Sequence, residues 1–201
     1  AVLMEKDPGY LRNLQTLPDG MRKAWLDGSW DVFEGQVFTE WRDDPEHYAD
    51  GKWTHVIDEF RVPEWWKIWR GFDFGYAKPF SVGWYAADGD GKIYRIREWY
   101  GCTAVANEGV KLDPQAIAAG IREIERTDPN LAGRKILGVA DPSIFDTSRG
   151  RSVADMMADA PNFVTWTGGD NSRLAGKMQW HYRLKFDADG DCMMQEIGRA
   201  H

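Results

Sequence analysis

Two aspartates carry the strongest chemical signal in this sequence. Asp73 lies in Gly71-Phe72-Asp73-Phe74-Gly75, and Asp141 lies in Val139-Ala140-Asp141-Pro142-Ser143. Each follows a short apolar run and precedes a turn residue. Taken singly, either is explained as a turn former, Asp73 beside Gly75 and Asp141 before Pro142. Taken together, at the ends of neighbouring parallel strands about 4.8 Å apart, their like charges would repel unless a cation sat between them. Carboxylate oxygens are hard ligands that suit Mg2+ or Mn2+. Two such ions can activate a water and stabilise the leaving oxygen in phosphodiester hydrolysis. Asp73 and Asp141 are therefore the expected metal-binding and catalytic pair.

Other constellations are weaker. Asp88-Gly89-Asp90-Gly91 begins like a calcium loop, but Lys92 stands where the next acid belongs, so a hairpin turn is expected. Asp187, Asp189 and Asp191 alternate as in an EF-hand, yet Cys192 replaces the required glycine and Gly198 the closing glutamate. That stretch also reads as a turn. His47, His55, His181 and His201 show no paired spacing and are read as surface or core residues. No GxxxxGK[ST] occurs, which excludes ATP binding through a P-loop. For DNA phosphates the best-placed cations are Arg149 and Arg151, just beyond Asp141, followed by Arg173 and Lys177 on one face of the last predicted helix.

The elements that must position these residues are legible from residue 67 onward. Strands are expected over residues 68–74, 80–87 and 92–100, with Asp88-Gly89-Asp90-Gly91 turning the second into the third. Asp113-Pro114 gives an N-cap followed by proline at the first helical position, and Ile117, Ile121 and Ile124 recur at helical spacing over 114–126. A fourth strand is expected over 135–140, a short helix over 152–158 and a fifth strand over 162–166. A helix from 172 to about 185 follows, with Leu174, Met178 and Tyr182 as its apolar stripe. This β-β-β-α-β-α-β-α order predicts an α/β fold: a ribonuclease H-like mixed five-stranded sheet flanked by helices, its fourth strand parallel to the first and beside it. Residues 1–66 read differently. Short helices are expected at 8–15 and 19–26, followed by an aromatic, acidic and irregular stretch, so the segment is taken as a linker or the tail of an upstream domain.

Bulk properties set wide bounds. The chain has 201 residues, room for one medium domain or a smaller one plus an appended segment, and its 43% hydrophobic content suffices for a core. The net charge of −7 argues against a protein that holds nucleic acid by overall charge, but not against one using local basic patches around clustered acids. Cys102 and Cys192 form no CxxC, so neither a disulfide framework nor a cysteine zinc site is expected. The Trp65-Trp66 cluster is read as packing where the lead-in segment meets the sheet, ahead of a stacking surface for sugars or bases.

Three runs in order carry a specific resemblance: residues 69–75 around Asp73, residues 136–143 around Asp141, and Gly169-Asp170-Asn171-Ser172-Arg173-Leu174-Ala175-Gly176. Together they resemble the nuclease domain of phage terminase large subunits. Leu17-Pro18-Asp19 and Trp25-Leu26-Asp27-Gly28-Ser29-Trp30 resemble the stretch joining that nuclease to its packaging ATPase. The resemblance implies a ribonuclease H-like, metal-dependent endonuclease that cuts concatemeric phage DNA in the host cytoplasm, partnered by double-stranded DNA, a small terminase subunit and a portal. It implies an upstream ATPase for which residues 1–66 would be the tail. Asp73 and Asp141 match the family's first two acids. The third acid belongs to a later helical segment with no counterpart before His201, so the domain is expected to be truncated at its C-terminus. A resolvase- or transposase-like enzyme and a non-catalytic DNA- or protein-docking domain of the same fold are the alternatives.

Overall fold

Alternation builds the central strand. In Lys67–Asp73 (β2), Ile68, Arg70 and Phe72 are buried while Lys67 and Asp73 are exposed, so one face turns to the core and the ends reach solvent. β2 pairs antiparallel with Ser81–Ala87 (β3), which pairs antiparallel with Ile93–Tyr100 (β4). On its other side β2 pairs in parallel with Ile136–Ala140 (β5), and β5 with the two-residue Thr167–Gly168 (β6). The computed structural model describes residues 38–148 and 150–198, all but the first two of them within the compact unit Glu40–His201. No described helix is long and apolar enough to cross a membrane.

The order of these five strands, β4-β3-β2-β5-β6, is the ribonuclease H-like arrangement, with the fourth core strand beside the first as the sequence predicts. Two further strands make the sheet seven-stranded rather than five. Val56–Ile57 (β1) pairs with Met194–Ile197 (β7), and β7 extends β4, giving the order β1-β7-β4-β3-β2-β5-β6. The stretch before residue 66, read as linker, thus contributes a strand to this sheet. The fifth core strand lies at 167–168, not 162–166. Val164 and Trp166 in the expected segment are buried apolar residues of the approach to the strand, and burial there imitates a strand. The helices expected at 8–15 and 19–26 lie outside the described residues.

One face of the sheet is covered by Pro114–Thr127 (α1) and Val153–Ala158 (α2). Asp113 caps α1 by accepting from the Ala116 amide, and Ile117, Ala118 and Ile121 are fully buried among Phe72, Val82 and Trp84. Each such isoleucine contributes about 1.5–3 kcal/mol by leaving water. The opposite face is less covered, with Leu137 and Val139 of β5 48% and 38% exposed. Arg173–Leu184 (α3) buries His181 and Leu184 rather than the expected stripe, and Tyr182 of that stripe is 60% exposed. Trp66 stacks on Tyr94 at 5.0 Å, the packing role expected for the tryptophan cluster, while Trp65 faces solvent. Both acidic repeats are turns: Asp88 accepts from the amides of Asp90 and Lys92, and Asp187 from those of Asp189 and Asp191.

A charged group fixes α1 on the sheet. Arg70, in the core row of β2, forms a buried ion pair with Glu125 of α1. The same carboxylate accepts from Trp84 Nε1 at 3.1 Å, and Arg70 donates to the Thr165 carbonyl at 3.0 Å while its guanidinium lies 4.4 Å from the Trp166 ring centre. Burial pushes the Arg70 pKa down while Glu125 opposes the shift. Removing one member leaves the other charged and dry. Glu125→Ala is therefore expected to destabilise the fold by about 3–5 kcal/mol in urea denaturation; a loss below about 1 kcal/mol would contradict the role given to this pair.

Candidate metal centre

The parallel pairing of β2 and β5 places the two aspartates. Phe72 is in register with Ala140, and the Asp141 amide continues the ladder by donating to the Phe72 carbonyl at 3.2 Å. Asp73 and Asp141 are the next residue on each strand. Gly71 pairs with Val139 one alternation earlier, so both carboxylates leave the sheet on the same, less covered face. Asp73 is exposed and Asp141 half-buried. Asp141 also caps the 3-10 turn Pro142–Phe145, its Oδ1 accepting from the Ser143 amide at 2.8 Å. The turn role and a place beside Asp73 are thus compatible in one side chain. Ser81 pairs with Asp73, and Tyr100 with Ser81, which completes this row across the sheet edge.

The neighbouring acids serve the loops. Asp146 accepts from the Ser148 amide and hydroxyl at 2.8 and 2.9 Å, and Asp155 from the Ser152 hydroxyl at 2.7 Å. Asp170 stands two residues beyond β6 at the same sheet edge and accepts from the Ser172 amide at 2.8 Å; hydrogen bonding from the Ser172 hydroxyl first, and from this amide second, lowers its pKa. The sequence reading gave Asp170 no role of its own, because ending the fifth strand at 166 hid its place at that edge. Among the described residues no group of three or more His, Cys, Asp or Glu side chains is arranged to hold a metal. The two carboxylates that the β2–β5 register sets side by side at this edge are those of Asp73 and Asp141. Two carboxylates suit a hydrated hard cation, which commonly keeps several waters and takes one or two carboxylates from the protein.

The expected phosphate contacts fall in different settings. Arg151 is held by Asp159 through two parallel hydrogen bonds of 2.8 and 2.9 Å. These bonds raise the Arg151 pKa and lower that of Asp159. The pair is exposed, and exposed ion pairs are weak enough to exchange partners. Lys177 lies half-buried on α3, and Arg173 opens that helix. Arg149 lies outside the described residues.

No family model matches the sequence, and no curated protein matches it. Solved structures do share its fold. The P22 large terminase nuclease domain is 14% identical, with a TM-score of 0.53, over 82% of this chain and 73% of that one. A large terminase from a thermophilic bacteriophage is 16% identical, with a TM-score of 0.51, over 91% of this chain and 41% of that one. A second crystal form of the same thermophilic phage protein is 17% identical, with a TM-score of 0.50, over 80% of this chain and 34% of that one. This chain thus spans most of the P22 domain but less than half of the thermophilic phage protein.

The Arg151 contact is open to a direct check. In Arg151→Ala the Asp159 carboxyl loses the bonds that hold its pKa down, so its titration is expected to move up towards the usual 3.8. Carbon-detected NMR titration of the carboxyl reads this shift; an unmoved midpoint would show that the pair does not form.

Proposed function

We propose that this chain is the nuclease domain of a phage terminase large subunit, a metal-dependent endonuclease that cuts concatemeric DNA during genome packaging. One observation carries the reading. Two carboxylates 68 residues apart in sequence leave the same face at adjoining ends of parallel strands, on a fold shared with the P22 nuclease domain. Asp73 and Asp141 would hold Mg2+ or Mn2+, which when bound supplies an activated water and charge neutralisation at the leaving oxygen. The pair itself accounts for one hydrated ion. A second ion would take further oxygens from the DNA phosphate, as hard cations do in phosphoryl sites.

Each residue has a definite task in this scheme. Asp73, at the exposed end of β2, presents its carboxylate to solvent, where DNA arrives. Asp141 is anchored through its bond to the Ser143 amide, which fixes the carboxylate's direction. Arg149, Arg151, Arg173 and Lys177 are the proposed phosphate contacts, with Arg151 exchanging Asp159 for DNA. Double-stranded DNA is the substrate. The small terminase subunit and the portal are the partners of the full-length protein, which works in the host cytoplasm on the procapsid.

Supercoiled plasmid reports the activity directly. The chain is expected to nick it with Mn2+ and not with EDTA. Asp73→Asn is expected to cut the rate by about two orders of magnitude, the scale of losing a principal charge-stabilising group. Nicking that survives Asp73→Asn would place the site elsewhere. A wild-type chain that binds plasmid without nicking would instead mark a docking domain of the same fold.

A further inference from the structure

The face that carries the acid pair also carries a tyrosine in an unusual setting. Tyr85 of β3 pairs with Trp69 of β2, two residues along from the Gly83–Gly71 pair and four from the Ser81–Asp73 pair. Side chains of paired residues leave the same face, so Tyr85, Gly83, Gly71, Asp73 and Asp141 share one surface. The two glycines leave a shallow trough, and the tyrosine ring lies in it. A methyl carbon added at Gly83 would stand 2.6 Å from the Tyr85 hydroxyl oxygen, and one added at Gly71 would stand 3.6 Å from ring carbon Cε2. The ring therefore leans along β3 towards the edge with Asp73 and Asp141. Its hydroxyl sits over the glycine row, about 6.6 Å along the strand from the acid row.

Tyr85 is half-buried, and no hydrogen bond joins its hydroxyl to another described residue. Arg95, opposite Tyr85 on β4, pairs through its two terminal nitrogens with Glu98 and Glu196, while its Nε has no partner among the described residues. Burial raises the phenol's pKa, so it stays protonated and a donor across the neutral range.

We propose that Tyr85 is a DNA-contacting residue of this site, donating its hydroxyl hydrogen to a backbone phosphate beside the one that a cation at Asp73 and Asp141 would engage. The glycine pair is what makes the contact possible: any side chain at Gly83 would lift the ring from the trough. The inference rests on the reading of the acid pair as a DNA-cutting centre. It adds that the DNA strand runs from the acid row over Gly71 and Gly83 rather than along the strand-end edge alone.

Binding separates the two claims. Fluorescence anisotropy of a labelled duplex of about 20 base pairs, with Ca2+ in place of the catalytic cation so that the carboxylate site is filled without cutting, would compare the wild-type chain with Tyr85→Phe. Phenylalanine keeps the ring and its packing, so an unchanged melting temperature with binding about 10-fold weaker is the expected result, the scale of a hydrogen bond to a charged group. Equal affinity, or no binding by either protein, would overturn the contact. Plasmid nicking by the wild-type chain judges the nuclease reading independently. If nicking occurs and Tyr85→Phe binds normally, only the tyrosine contact falls; if Tyr85→Phe weakens binding and nothing nicks, only the nuclease reading falls.

Discussion

The parallel pairing of β2 with β5 is the constraint on which the rest depends. A parallel neighbour needs a crossover, and the chain runs through β3, β4 and α1 before β5 returns to the side of β2. The Phe72–Ala140 register then decides everything at the edge. A slip of one residue would send Asp141 to the other face, among the core apolar groups, and would separate it from Asp73. Val139 and Leu137 would turn inward at the same time. The register that buries Ala140 is thus the one that brings two carboxylates to one edge of the sheet.

That register is secured on the core face. Arg70 stands two residues before Phe72 and ties β2 to α1 through Glu125, to the approach of β6 through the Thr165 carbonyl, and to Trp166 through its ring. Gly138, paired with Arg70 across β5, leaves room for this: an added carbon there would meet the Thr165 carbonyl at 2.5 Å and the Arg70 guanidinium at 3.0 Å. A buried charge is a poor source of net stability but a strict one for geometry, because only one arrangement satisfies it. The covered face thus carries the packing, and Asp73 and Asp141 stand on the other face.

How much of this is written in the sequence differs from element to element. Asp73, Asp141 and their adjacency were legible because apolar runs ending in turn residues mark strand ends, and the order of elements then dictates which strands touch. The capping pair Asp113-Pro114 marked α1 for the same local reason. β1 and β7 were not legible: they are two and four residues long, and Gln195 and Glu196 read as polar although both are buried. Their burial rests on long-range partners, Gln195 donating to the Gly51 and Thr54 carbonyls and Glu196 pairing with Arg95. The stripe of α3 was misjudged because His181, which bonds Glu40, is buried in place of Tyr182. Tyr85 carried no signal of its own, since its setting comes from two glycines that meet only across a strand pair.

The central claim is that Asp73 and Asp141 share a metal ion. Anomalous diffraction at the manganese edge, from crystals of the wild-type chain soaked in Mn2+, tests it most directly. The expected result is a peak within about 2.0–2.3 Å of a carboxylate oxygen from each residue, absent in Asp73→Asn. A peak bound only by residues elsewhere, or none between these two carboxylates, would contradict the account.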